Sequence, residues 1–134
     1  MLGCEGVDLG VFDGRSHLQP KEIMADPEGA VQRVRAMLAE TGLVVSDVFL
    51  QTGPEPPEHA ANDPDPAVRA ANREMFDAVL AFCAALGCRH MTGLPGVWHS
   101  GVNAAEDWDI AVEETRWRVG RAAGDHGGEP TAPH

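Results

Sequence analysis

Short and long hydrophobic patterns alternate along the chain. The short ones are nearly continuous apolar runs, one of them rich in β-branched residues, and they predict buried β-strands. The long ones repeat apolar residues every three to four positions, as an amphipathic helix does. The predicted strands cover 6–12, 43–50 and 88–94, and the predicted helices cover 27–41, 67–86 and 104–123, which gives the order βαβαβα.

The spacing also predicts which face of each helix is buried. In the first helix the stripe consists of Val31, Val34, Met37 and Leu38. The second helix has the strongest stripe, formed by Val68, Met75, Phe76, Val79, Leu80, Cys83 and Leu86. The last helix has a weaker one, formed by Trp108, Val112, Thr115 and Val119. A second, polar face of the middle helix is expected to be solvated and to contact the adjacent loop; it carries Arg69, Asn72 and Arg73.

Residues with special backbone preferences mark the ends of these helices. Asp26, followed by Pro27, is typical of an N-cap and a first helical position. Asn103 has a glutamate three residues later, which is the spacing of a capping box. Gly42 and Gly87 follow the first two helices and predict left-handed caps there.

The connections between the elements differ in length at the two ends of the predicted sheet. Strands that alternate with long helices pair in parallel through right-handed crossovers. Each helix-to-strand junction has only one or two residues, whereas the strand-to-helix junctions are long and irregular: 13–26, 51–66 with five prolines, and 95–103. Ligands of parallel α/β folds bind beyond the carboxyl ends of the strands. The long loops therefore predict the functional edge.

Charge and composition limit the partners of the chain. With 21 acidic residues against 10 basic ones, the formal charge is −11, and no basic stripe is present, so binding to nucleic acid is not expected. No apolar run approaches the roughly 20 residues that cross a bilayer, and the first residues lack a signal-peptide pattern. We expect a cytoplasmic protein without a membrane partner.

Two segments of the sequence resemble a known family. "LGCEGVDLG" (2–10) and "RAANREMFDAVLAFCAALGCRHMTGLPG" (69–96) resemble the second strand, third helix and fourth strand of sugar phosphate isomerases/epimerases, the xylose isomerase-like TIM barrels. The resemblance covers about residues 2–123. It implies a (β/α) barrel that acts on a sugar or sugar phosphate. It also implies a divalent metal (Mn, Mg or Zn) that assists proton transfer next to the sugar carbonyl.

The resemblance also implies what this chain lacks. A complete barrel has eight strand–helix units in about 250 residues, whereas this sequence resembles units two to four, a partial TIM barrel over 1–123 followed by a flexible tail at 124–134. The family's metal ligands lie in the second half, so no tight metal binding is expected here. We expect a truncated isomerase/epimerase relative that is inactive alone. The alternative is a non-catalytic fragment that acts by self-association or complementation.

Two polar residues in the predicted strands are candidates for substrate binding. Asp8 lies between Val7 and Leu9, so if those two pack under the helices, Asp8 faces into the barrel. It would then line a substrate pocket or make a structural hydrogen bond near the strand end. The same alternation puts His90 and Thr92 on the inner side, where His90 either contacts substrate or is a hydrogen-bonded core histidine.

The loop after the third predicted strand supplies two further candidates. Trp98 and His99 lie on the expected functional edge, and an indole ring suits the apolar face of a sugar. Ordinary loop packing is the alternative for both. The predicted substrate-binding set is therefore Asp8, His90, Trp98 and His99, with no metal ligand among them.

Overall fold

The computed structural model describes residues 3–124 and contains one parallel sheet with helices. Three strands pair in the order β1–β2–β3, so the predicted α/β class with three parallel strands is confirmed. All but the first residue of the predicted tail at 124–134 lie outside the described residues. The elements are β1 (Gly6–Phe12), α1 (Pro20–Ala25), α2 (Pro27–Leu38), β2 (Val44–Gln51), α3 (Pro66–Ala85), β3 (Met91–Gly93) and α4 (Ala104–Ala122).

The stretch between β1 and α2 corrects the sequence prediction. It was expected to be irregular over 13–26, but it contains the six-residue helix α1. Pro20 occupies the first turn, and the Gln19 and Glu22 side chains bond each other's backbone N–H as a capping box. Ile23 is fully buried and joins the core. Burial of Pro20 and Ile23 stabilises a helix that is too short to persist alone.

The hydrophobic core lies on one face of the sheet only. Val11 of β1 and Val48 of β2 are fully buried, and they pack with helical side chains such as Val34, Val79 and Phe82. Successive side chains of a strand point to opposite faces of the sheet. The residues that alternate with the buried ones along each strand therefore face the other side. That second face, called the open face below, carries Asp8, Phe12, Asp47, Phe49 and Thr92, none of which is buried.

The end of α3 shows how the tight turns on the opposite edge are built. Gly87 has a φ of 70°, and the N–H of Cys88 donates to the carbonyl of Cys83 at 2.9 Å. The N–H of Gly87 donates to Ala84 at 3.1 Å. These two bonds form a Schellman motif, which confirms the predicted left-handed cap at Gly87. The chain then enters β3, which is shorter than the predicted 88–94.

The last helix buries a face that the apolar spacing does not indicate. Trp108 and Val119 of the predicted stripe are 60% and 64% exposed. The buried residues of α4 are instead Asp107 and Glu114. Glu114 receives two hydrogen bonds of 2.9 Å from the Arg73 guanidinium on α3. The predicted stripe is therefore wrong, because the Arg73–Glu114 pair and the Trp117 ring, 5.7 Å from the Phe76 ring centre, hold this helix on α3.

The polar face of α3 also differs from the prediction. Asn72 is buried rather than solvated, and its amide donates to the carbonyls of His59 and Ala60 at 3.0 and 3.1 Å. Arg69 donates to the carbonyl of Asp63 at 2.7 Å. The expected contact with the adjacent loop is thus present, but Asn72 makes it as a buried residue and not from a solvated face. In α2, Met37 is 65% exposed and lies outside the buried stripe.

Within residues 3–124, no helix combines the length and the apolar character needed to cross a membrane. The longest helix, α3, has 20 residues and interrupts its apolar stripe with arginine, asparagine and acidic side chains. The helices of the described part instead present one face to the sheet or to one another, as helices of an α/β layer do. Their packing fixes the positions of the loops discussed next.

Candidate functional site

The carboxyl ends of the three strands bring three loops to one edge of the sheet. These loops follow β1, β2 and β3, and they span 13–19, 52–65 and 94–103. Parallel pairing puts all three strand ends on the same side. In such folds this is the edge where ligands bind. The candidate site therefore comprises the open face and these loops.

A polar row crosses the open face from β1 to β3. Asp8 lies opposite Asp47 in the strand register, so the two carboxylates are direct neighbours on adjacent strands. The Thr92 hydroxyl on β3 donates to Asp47 at 2.9 Å. Asp8 is exposed, and no hydrogen bond to its side chain occurs among residues 3–124. Asp8, Asp47 and Thr92, the polar row, offer acceptors and a hydroxyl to a polar ligand.

Two aromatic rings lie beside the polar row, towards the carboxyl ends of the strands. Phe12 and Phe49 come from neighbouring strands, and their ring centroids are 5.1 Å apart in an edge-to-face arrangement. Both side chains are partly exposed. The open face thus joins hydrogen-bonding groups to an apolar platform, which is the combination that sugars meet in binding sites.

His90 lies just before β3 and is exposed, so it is not a core histidine. Its backbone carbonyl accepts from the N–H of Val48 at 3.2 Å and from the Cys88 thiol at 3.1 Å. Its side chain borders a groove along the free edge of β3, away from Trp98 and His99. Two of the predicted substrate-binding residues, His90 and Trp98, therefore border different surfaces.

His99 is fixed by Asp107, the first buried residue of α4. The carboxylate accepts from the His99 backbone N–H at 2.6 Å and from the ring Nδ1 at 2.8 Å. Since a carboxylate only accepts, the proton of the neutral imidazole lies on Nδ1, and Nε2 is left with a lone pair. Nε2 is buried and has no partner among residues 3–124. The backbone and ring hydrogen bonds from His99 hold the pKa of Asp107 below its usual value.

Asn62 fixes the same loop from the other side. Its amide nitrogen donates to the carbonyls of Val97 and Asp107 at 2.7 and 3.3 Å, and its oxygen accepts from the Val97 N–H at 3.0 Å. Gly96 adopts a φ of 142°, and a Cβ there would lie 2.5 Å from the Asn62 oxygen. A buried asparagine therefore sets the path of the loop that carries Trp98 and His99.

Trp98 borders a surface that includes no residue of the polar row. It is 69% exposed, and with Trp108 it borders a shallow apolar cup of about 170 Å³ over Asn62 and Asp107. The polar atoms of Asn62 and Asp107 already bond each other's loops, so the cup offers a ligand little beyond its two indole faces. Trp98 and His99 share one neighbour, Asp107, which borders the cup and bonds the His99 ring.

The divalent metal that the resemblance implies does not fit the described residues. Within 3–124, no three side chains of His, Cys, Asp or Glu converge on a common point. Asp8 and Asp47 are neighbours, but Asp47 is already engaged by Thr92 and no third donor joins them. We therefore derive no chemical step through a metal from this part of the chain.

Three functional-site residues were missed by the sequence analysis: Asp47, Asn62 and Asp107. Asp47 carried a signal similar to that of Asp8, an acid inside a predicted strand, next to Ser46 and Val48. Asn62 and Asp107 carried no sequence signal. The partner of Asn62, Val97, lies 35 residues away in another loop, and the partner of Asp107, His99, lies 8 residues away, before the helix begins.

The fold and this edge define a class: parallel α/β proteins in which helices cover one sheet face and polar residues line the other. The chain belongs to the xylose isomerase-like TIM barrel family, whose sequence profile matches residues 1–127. This confirms the resemblance and the partial barrel predicted from the sequence. No curated protein sequence matches the chain.

Proposed function

We propose that this chain contributes the sugar-binding wall of an isomerase- or epimerase-type barrel. It does so as a partial barrel that needs further strands for activity. The observation that carries the proposal is the polar row on the open face, in a chain of the xylose isomerase-like family. In a closed barrel that face becomes the interior, and the substrate site lies at the carboxyl-terminal end of the strands that line it.

The residues of the open face have different roles in binding a sugar. The Asp8 and Asp47 carboxylates accept hydrogen bonds from sugar hydroxyls, and charged acceptors make such bonds stronger than neutral ones. The Thr92 hydroxyl orients Asp47 by donating to it at 2.9 Å. Phe12 and Phe49 pack against the C–H groups of the ring. Binding and orientation are the roles that these side chains can fill; the proton transfer needs groups from the remaining strands.

Titration with D-fructose, followed by amide chemical shifts, tests the sugar-binding role. We expect millimolar binding with shifts grouped on Asp8, Asp47 and Thr92, weakened by Asp8→Asn and by Thr92→Val. Asp109→Asn is the matched control, since Asp109 is exposed on α4 and away from the open face. Shifts grouped elsewhere, or equal weakening by the control, would contradict the proposal.

Hydrogen exchange at the substrate tests whether the chain is active alone. Ketoses and ketose phosphates are incubated with the protein in D₂O, with Mn²⁺ or Mg²⁺ present, and deuterium at the carbon next to the carbonyl is read by NMR. We expect no incorporation beyond the buffer rate, because one carboxylate row without a third donor does not hold a metal. Protein-dependent incorporation would show that the chain needs no further strands.

A second candidate function is association without catalysis, favoured by the unpaired edges of the sheet. Within the described residues, β3 pairs only with β2, and besides its pairing with β2, β1 has only an isolated bridge from Val11 to Leu18. Unpaired edge strands and a partly apolar face promote pairing with another chain. Light scattering over a range of concentrations tests this idea: we expect a mass above that of the 14.3 kDa monomer. A monodisperse, stable monomer would contradict this second candidate function.

A further inference from the structure

Two of the three cysteines come together where α3 ends. Cys83 lies in the last turn of α3 and Cys88 lies just after the turn, and both belong to the core, with 3% and 7% of their surface exposed. Cys4, the third cysteine, is exposed before β1. All three are free thiols. The sugar site proposed above uses neither member of the buried pair.

The turn itself holds the two cysteines at a short distance. The Cys88 N–H donates to the Cys83 carbonyl at 2.9 Å in the Schellman motif. With standard bond lengths, this hydrogen bond keeps the two Cα atoms within about 7 Å of each other. Disulfides in proteins span Cα distances of about 4.4–6.8 Å. In this motif the side chains at these two positions also pack against each other, so the backbone places the two thiols for a bond.

The position of the pair does not depend on strands beyond the described residues. The residues from 83 to 88 form a single turn, and the Cys88 thiol donates to the His90 carbonyl at 3.1 Å. The same carbonyl accepts from the Val48 N–H at 3.2 Å, which joins β2 to the residue before β3. A further strand beside β3 buries the thiols more deeply but leaves this turn as it is.

The surroundings give the two thiols different reactivity. Burial and the neighbouring Cys88 thiol raise the pKa of Cys83 to about 12, so Cys83 is protonated at neutral pH. Because the thiolate is the attacking species in thiol–disulfide exchange, Cys88 is the thiol that attacks first. Its neighbours along the chain, Gly87 and Arg89, are exposed. We expect a slow reaction, since a buried thiol meets an oxidant only when the turn opens locally.

From this geometry we propose that Cys83 and Cys88 are a redox-sensitive pair, which a small-molecule disulfide such as oxidised glutathione converts to an intramolecular disulfide. The Cys88 sulfur first displaces one glutathione, and the Cys83 sulfur then displaces the second from Cys88. One S–S bond forms and one breaks, the two cysteines are oxidised, and the two glutathione thiols that leave carry the two protons.

The new bond acts on the strand next to it. Oxidised Cys88 has no hydrogen to donate to the His90 carbonyl, and α3 becomes covalently tied to the segment that enters β3. That strand carries Thr92 of the polar row. Disulfides in reducing compartments are typically transient and redox-sensing rather than structural. The inference rests on the turn alone and stands whether or not the open face binds a sugar.

Mass spectrometry after equilibration with glutathione buffers tests the proposal. The Cys4→Ser chain is used, so that the buried pair supplies the only thiols, and free thiols are then alkylated. Trypsin leaves both cysteines in one peptide, 74–89. We expect this peptide about 2 Da below its dithiol mass and without alkyl groups. The folded chain should form the bond at least about tenfold more favourably than the same chain in urea, because the turn holds the thiols together.

The comparison with urea also supplies the result that would overturn the proposal. A folded chain whose peptide carries two alkyl groups or a glutathione adduct, or whose disulfide is no more favourable than in urea, shows that the fold does not pair the thiols. Cys83→Ser in the same background is the matched control: Cys88 should then stop at the mixed disulfide. The folded-against-urea comparison uses no substitution in the core, so it decides the question even where Cys83→Ser does not fold.

Discussion

The Asp107 carboxylate couples the stability of the protein to pH. Hydrogen bonds from the His99 backbone and ring lower its pKa in the folded state, so folding favours the ionised form. Its contribution is fully present above the pKa of the unfolded carboxyl, about 3.9, and is lost as the pH falls through the lower folded pKa. We predict that wild type exceeds Asp107→Asn in stability by a constant margin above about pH 5 and by a shrinking margin in acid.

Urea unfolding at a series of pH values measures this margin. Asp109→Asn removes the same charge from an exposed position of the same helix and should give no such acid-dependent margin. A margin for Asp107→Asn that persists unchanged through the acid range would show that the carboxylate is not held by His99.

Asn62 should be the most costly polar residue to remove. Its side chain makes three hydrogen bonds that tie the loop after β2 to the loop after β3. Asn62→Ala leaves the backbone groups of Val97 without these partners in a partly buried site, which should cost about 1–3 kcal/mol of unfolding free energy. Asn103→Ala removes only an exposed N-cap and should cost about 1 kcal/mol. Equal losses in urea unfolding would contradict the role of Asn62.

At the scale of elements, a charged pair contributes to the attachment of α4 to α3, beside the contact of Trp117 with Phe76. The Arg73–Glu114 pair is bidentate, its carboxylate is almost fully buried, and Arg73 also lies 4.7 Å from the Trp117 ring centre. A double-mutant cycle with Glu114→Gln and Arg73→Met should give a coupling of about 1–3 kcal/mol. The exposed Arg15–Glu55 pair, at 3.5 Å, is the control and should give less than about 1 kcal/mol.

That attachment also shows which features of the fold the sequence does not predict. Strand order and helix α3 follow from apolar spacing, because their buried side chains are apolar and near in sequence. The face of α4 does not, because Glu114 meets an arginine 41 residues away. The helix α1 was missed for a different reason: six residues are too few for a period, although Pro20 and the Gln19–Glu22 spacing were visible. In the site, Asp8 was identifiable from its strand, whereas the partners of Asn62 and Asp107 exist only in the fold.

For the whole molecule, the asymmetry of the sheet is the central property. One face is covered by helices and supplies the core, and the other exposes carboxylates and two phenylalanines. In a family of closed barrels, this second face is adapted to an enclosed interior. The same face therefore serves two hypotheses, sugar binding through its polar row and rings, and association through the rings alone. A substitution among the rings tests the association hypothesis.

Phe49→Glu should weaken self-association while the chain stays folded. Phe49 is partly exposed on the open face, and its ring meets Phe12 at 5.1 Å, so a charge there disfavours any partner that covers the face. We expect sedimentation velocity to show a shift towards monomer, with circular dichroism unchanged. Met37→Glu is the matched control, because Met37 is equally apolar and 65% exposed on the outer side of α2. If both substitutions reduce association alike, lower overall hydrophobicity and not the open face governs it.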